Sequence, residues 1–165
     1  MQSIEFDRNG CLIPYDIIEM PLQFVKHCFV DSMKEKEHRA EIFNNFIEYN
    51  KILSSIIKTD YVQWINGSFV TKKIKPNDID LVTFIDYAIV KQYKTELEQM
   101  VFPFSFKSFN VDAYIVRIFN EVHEKYAHSL SDTLYWMHHF LKTKPDKRNR
   151  QFSKGFIKIN FRYEK

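Results

Sequence analysis

The sequence predicts an α+β (α/β) domain, a small mixed β-sheet flanked by helices. Three observations carry this. Apolar residues recur at helical spacing through residues 22–58, and short β-rich runs alternating with helical stretches follow. Hydrophobic residues make up 45% of the chain and sixteen are Phe, which excludes a disordered composition. The 165 residues contain no internal repeat and no low-complexity linker, so a single domain over 1–165 is expected.

Residues 1–20 read as an irregular lead-in, with a turn at Asn9-Gly10 and breaks at Pro14 and Pro21. Leu22, Val25, Phe29 and Val30 start a helical pattern that resumes at Ile42, Phe43, Phe46, Tyr49, Leu53 and Ile57. The charged run "KEKEHR" (34–39) marks the break, or an exposed face, between two helices of the N-terminal part, 1–58. The sheet core, 60–119, begins with "DYVQWI" (60–65), a strand that Gly67 ends. "DIDLVTFI" (78–85) is a second strand, "AIVKQYKTELEQM" (88–100) a helix, and "FNVDAYIVRIF" (109–119) a third strand. In the C-terminal part, 120–165, a helix over 131–142 leads through a basic loop to a last strand, "GFIKINF" (155–161).

The chemistry concentrates in "NGSFVTKKIKPNDIDL", Asn66 to Leu81. Residues two apart on a strand share a face, so Asp78 and Asp80 project together while Ile79 points to the core. Two adjacent carboxylates repel, and a hard divalent cation removes that penalty. Asp112 is a third acid in an apolar strand; beside Asp78 and Asp80 it completes a set able to hold two metals. The alternative for these acids is a turn residue and water-facing edge positions. Gly67 can take a positive φ and let backbone approach a ligand. Ser68 could cap a short helix over 69–73, its hydroxyl and nearby N–H groups suiting phosphate oxygens. Lys72, Lys73 and Lys75 add charge, or form an ordinary solvated loop.

Other designs are excluded. Neither GxxxxGK[ST] nor GxGxxG occurs. His123 and His128 of "HEKYAH" lie five apart, about 140° around a helix, and cannot face one metal. Cys11 and Cys28 form no disulfide framework and read as buried thiols of a cytoplasmic protein. The N-terminus has no signal-peptide pattern, and no apolar run is long enough for a membrane span. Net charge is only +3, but Lys142 to Lys158 carries seven cations against Asp146. That segment is either a solvated loop or an anion-binding surface for a triphosphate tail or a nucleic-acid backbone. "YWMHHF" (135–140) reads as core packing; Tyr135 and His138 are the residues to examine should it line a cleft.

A strand, Gly67-Ser68, nine residues, Asp78-Ile79-Asp80-Leu81 and a later Asp112 together resemble the polymerase-beta-like nucleotidyltransferase superfamily. "FDRNGCLIP", "CFVDSMKEKEHR" and "KGFIKINF" extend the resemblance to a bacterial and phage branch. The resemblance implies that Gly67 and Ser68 hold the nucleotide phosphates, with Thr71, Lys72 and Lys73 expected to bind it beside them, and that Asp78, Asp80 and Asp112 bind Mg²⁺ (or Mn²⁺). The expected reaction moves a nucleoside monophosphate from an NTP, ATP foremost, to an acceptor hydroxyl on a small molecule, RNA or protein. The other expectation is a non-catalytic nucleotide- or nucleic-acid-binding module, such as an antitoxin or phage-defence component, contacting nucleic acid through 142–158. One departure stands out: Asn66 occupies a position that is usually apolar in that superfamily.

Overall fold

The computed structural model describes residues 4–163. It has the expected α+β class. The strands are β1 (Glu5–Phe6), β2 (Leu12–Ile13), β3 (Ile17–Glu19), β4 (Tyr61–Asn66), β5 (Ile79–Asp86), β6 (Val111–Ile118) and β7 (Phe156–Phe161). The helices are α1 (Leu22–Lys26), α2 (Lys36–Ile57), α3 (Tyr87–Gln92), α4 (Lys94–Glu98), α5 (Phe104–Phe109) and α6 (Tyr126–Phe140). β1 and β2 form a small hairpin; the other five strands make one mixed sheet in the order β3-β7-β4-β5-β6.

Alternation along the strands builds two cores. Ile65, Ile79, Leu81, Val111, Ala113, Ile157 and Ile159 face α2, meeting Phe43, Phe46, Tyr49 and Leu53 in the larger one. Trp64, Val82, Val116 and Phe156 face the other way, toward Phe140 of α6. Asn66, Asp80 and Asp112 belong by parity to the α6 face, at the end of the sheet. β4 and β5 are antiparallel with Asn66 opposite Asp80, and β5 and β6 are parallel with Asp80 opposite Asp112.

Several elements depart from the sequence expectations, each for a local reason. The lead-in contains the β1–β2 hairpin and β3, strands too short to show a period. The helix expected over 88–100 breaks at Tyr93, whose backbone (φ −109°, ψ 34°) leaves the helical region. The third strand starts at Val111 because Phe109 ends α5 and Asn110 takes a left-handed conformation (φ 54°). α6 begins at Tyr126, earlier than expected. Ser129 ties its first turn to the sheet, accepting from the Phe119 N–H and donating to the Arg117 carbonyl. The helix expected over 69–73 is a single 3₁₀ turn, Ser68–Val70, and Ser68 does not cap it with its side chain. Cys11 and Cys28 are buried and unpaired, as expected. Among the described residues, no helix is long and apolar enough to cross a membrane.

Candidate metal and nucleotide site

The Gly-Ser turn is built around one carboxylate. β4 ends at Asn66, and Gly67 turns the chain at φ 80°, ψ −166°, a conformation open essentially to glycine alone. A Cβ added at Gly67 would lie 1.9 Å from Asp80 Oδ2 and 3.0 Å from its Cγ. Gly67 therefore supplies both a turn and the seat of the Asp80 carboxylate.

The loop from Phe69 to Lys73 is held from beneath. Arg39, fully buried in α2, donates to the carbonyls of Phe29 (2.9 Å), Phe69 (2.8 Å), Thr71 (3.0 Å) and Lys73. Its guanidinium also sits 5.4 Å from the Phe69 ring centroid. Among the described residues no carboxylate pairs with it, and burial lowers its pKa to about 10. The run "KEKEHR", read from sequence as a break or exposed face, thus contributes a core clamp. Its signal was only its place one turn before an apolar stripe. Thr71 finishes the turn, its hydroxyl donating to the Ser68 carbonyl at 2.7 Å.

Asp80 and Asp112 stand side by side in register, and Asp78 sits just ahead of β5. Burial, then the charge on Asp80, raises the pKa of both Asp78 and Asp112. Among the described residues, Asp112 Oδ1 is buried without a hydrogen-bond partner. These are the marks of carboxylates whose repulsion and desolvation are not fully compensated by the protein. A divalent cation fits that donor chemistry, since hard cations take carboxylate oxygens and complete their shell with substrate and water. The fit is to a partial set: among the described residues no three His, Cys, Asp or Glu side chains form a metal cage.

The basic segment folds back over this end of the sheet. Lys144 Nζ lies 3.7 Å from Asp80 Oδ1. Lys154 is only 4% exposed, donates to the Gly67 carbonyl at 3.1 Å, and is lowered by burial to a pKa of about 8. An open cleft of about 930 Å³ results, lined by Gly67, Ser68, Asp78, Asp80, Lys142 and Lys144 among others. Thr71, Lys73, Arg150 and Lys154 also line it.

Most expected site residues therefore converge. Lys72 does not: its ammonium lies 5.4 Å from the Phe6 ring centroid, its N–H donates to the Gly10 carbonyl, and it is outside the cleft lining. Hairpin β1–β2 draws it away. Asp112 adjoins Asp80 on the side of β6, whereas the cleft opens on the side of β4. "YWMHHF" is only partly core: Phe140 is buried, Tyr135 is 63% exposed, and His138 and His139 line the cleft. Sequence reading missed Arg39, and it did not weigh Lys154 as a buried contact of the Gly-Ser turn.

A family model matches residues 4–160. The chain belongs to the family of unknown function DUF6932. The match spans every element from β1 to most of β7, so in this DUF6932 chain the Gly-Ser turn, the three acids and the basic segment all fall within the family's own extent. No curated protein and no solved structure matches the chain.

Proposed function

We propose that this DUF6932 protein is a metal-dependent nucleotidyltransferase, transferring a nucleoside monophosphate from an NTP to an acceptor hydroxyl. The observation that carries the reading is the Asp80 carboxylate seated on Gly67 in a cleft that lysines also line, with Asp112 in register beside Asp80. Mg²⁺ or Mn²⁺, when bound, neutralises the acids and the phosphate oxygens together. Asp78 and Asp80 would hold the cation. Ser68 and the N–H groups of the turn orient the phosphates, and Lys73, Lys144, Arg150 and Lys154 balance the charge of the triphosphate tail. Asp112, in register beside Asp80, would join the two acids as a ligand and would take the acceptor proton. The acceptor oxygen attacks the α-phosphorus, the bond from that phosphorus to the bridging oxygen breaks, and pyrophosphate leaves with the bonding pair.

A second reading has an observation of its own. Rings run from the cleft to the surface: His139 to Trp136 (5.7 Å), Trp136 to Tyr114 (4.7 Å), Tyr114 to Phe102 (6.4 Å) and Phe102 to Phe106 (6.3 Å). Phe102 and Phe106 are exposed. Aromatic rings continuous with a basic cleft suit single-stranded nucleic acid, and a binding module without turnover would use them.

Incubation with each α-labelled NTP and Mg²⁺ tests the first reading. Pyrophosphate release with label transferred to an added acceptor or to the protein supports it. No turnover, together with salt-sensitive nucleic-acid binding, favours the second.

A further inference from the structure

Asn66 is the last residue of β4 and is 5% exposed. It stands opposite Asp80 across the antiparallel pair, and Asp80 stands opposite Asp112 across the parallel pair. The three side chains thus form one row on the α6 face of the sheet. Neighbouring strands lie about 4.8 Å apart, so side chains in such a row are direct neighbours. Asn66 Oδ1, like Asp112 Oδ1 at the other end of the row, is buried with no hydrogen-bond partner among the described residues.

A buried amide oxygen without a partner is destabilising. Replacing the side chain by an apolar one of similar shape would remove that loss. Asn66 also lines the cleft beside Gly67. Amide oxygens are good ligands for hard cations, as carboxylates are. A carboxylate at position 66 would add a third negative charge to the repulsion already raising Asp112; a neutral amide supplies an oxygen without it.

We infer that Asn66 is a ligand of the divalent cation, forming with Asp80 and Asp112 a three-oxygen row across β4, β5 and β6. The inference rests on the metal-dependent reading above and deepens it. Asp78, just ahead of β5, would bind the same cation from outside the row. Asn66 is then specific to the metal and not to the packing of the turn, which Gly67 and Arg39 provide.

The test uses Mn²⁺ alone, without nucleotide, and follows the loss of the free-ion electron paramagnetic resonance signal for the wild type, Asn66→Leu, Asn66→Asp and Asp80→Ala. Thermal midpoints of the metal-free proteins are measured alongside. Asn66→Leu is expected to weaken Mn²⁺ binding by roughly tenfold or more, while leaving the metal-free midpoint unchanged or higher. Asn66→Asp is expected to fold and to tighten Mn²⁺ binding several-fold, which keeps the test decisive should Asn66→Leu fail to fold. Mn²⁺ affinity unchanged in both Asn66 variants, with Asp80→Ala impaired, would overturn the role of Asn66 and leave the metal site standing. Equal binding by the wild type and Asp80→Ala, or no binding by either, would overturn both.

Discussion

Gly67→Ala separates the two tasks assigned to the Gly-Ser turn. The backbone at Gly67 (φ 80°, ψ −166°) is strained for any residue with a Cβ, at about 1–3 kcal/mol. The added methyl would also overlap Asp80 Oδ2, 1.9 Å away, and crowd Asp80 Cγ at 3.0 Å. Asp80 is short, and turning its carboxylate aside relieves the overlap. That escape limits the loss of stability but removes the carboxylate from the proposed metal row. The expected result is a destabilisation of about 2–3 kcal/mol in urea unfolding, within the range of the backbone strain plus a small residual overlap, and a loss of Mg²⁺-dependent nucleotide binding. A double-mutant cycle with Asp80→Ala isolates the carboxylate. In that background Gly67→Ala should cost only the backbone share. Equal costs in both backgrounds would show that the Asp80 contact does not require glycine. Full Mg²⁺–ATP affinity in Gly67→Ala would refute the seat described here.

Three further outcomes follow from the same geometry. Arg39→Met leaves four carbonyls without their donor, and should cost about 3 kcal/mol or more and speed amide hydrogen exchange in 69–73; unchanged exchange there would remove the clamp. Asp112→Asn relieves a carboxylate whose folded pKa is raised, first by burial and then by Asp80. A raised carboxylate pKa means the folded state holds its proton to higher pH, so stability is lost as pH rises from the unfolded value through the folded one. The variant should therefore melt higher than the metal-free wild type at pH 7, with a smaller advantage at pH 4, and bind Mg²⁺ more weakly; a lower melting point at pH 7 contradicts this. Lys154 is a base whose pKa falls by burial from 10.5 to about 8. Between those values the unfolded state holds more protons, so stability rises with pH. Without metal, the wild type should gain about 2–3 kcal/mol over Lys154→Met from pH 8 to 10; a flat difference means that Lys154 is not buried as described.

The parts of the fold legible in the sequence were those with a long period. Ile42 to Ile57 shows α2 directly, and the runs at 60–65, 78–85 and 155–161 lie within a residue of β4, β5 and β7. β1, β2 and β3 were not legible, because two or three residues cannot display alternation. In the candidate site, Gly67, Ser68, Asp78, Asp80 and Asp112 could be picked out because their spacing along three strands carries information. Arg39 and Lys154 could not. Both are cations whose burial depends on backbone carbonyls from distant segments, Phe69 to Lys73 for one and Gly67 for the other. A charged residue in a charged run reads as solvated unless the carbonyls it meets are known. Lys72 failed for the opposite reason: its place in the loop suggested phosphate, and the β1–β2 hairpin, itself illegible, turned it away.

The most direct measurement is calorimetric titration of Mg²⁺–ATP into the wild type and Asp80→Ala, with circular dichroism confirming that both fold. The account predicts binding that requires Mg²⁺ in the wild type and is abolished in Asp80→Ala. Unchanged affinity in Asp80→Ala, or wild-type binding indifferent to Mg²⁺, would contradict it.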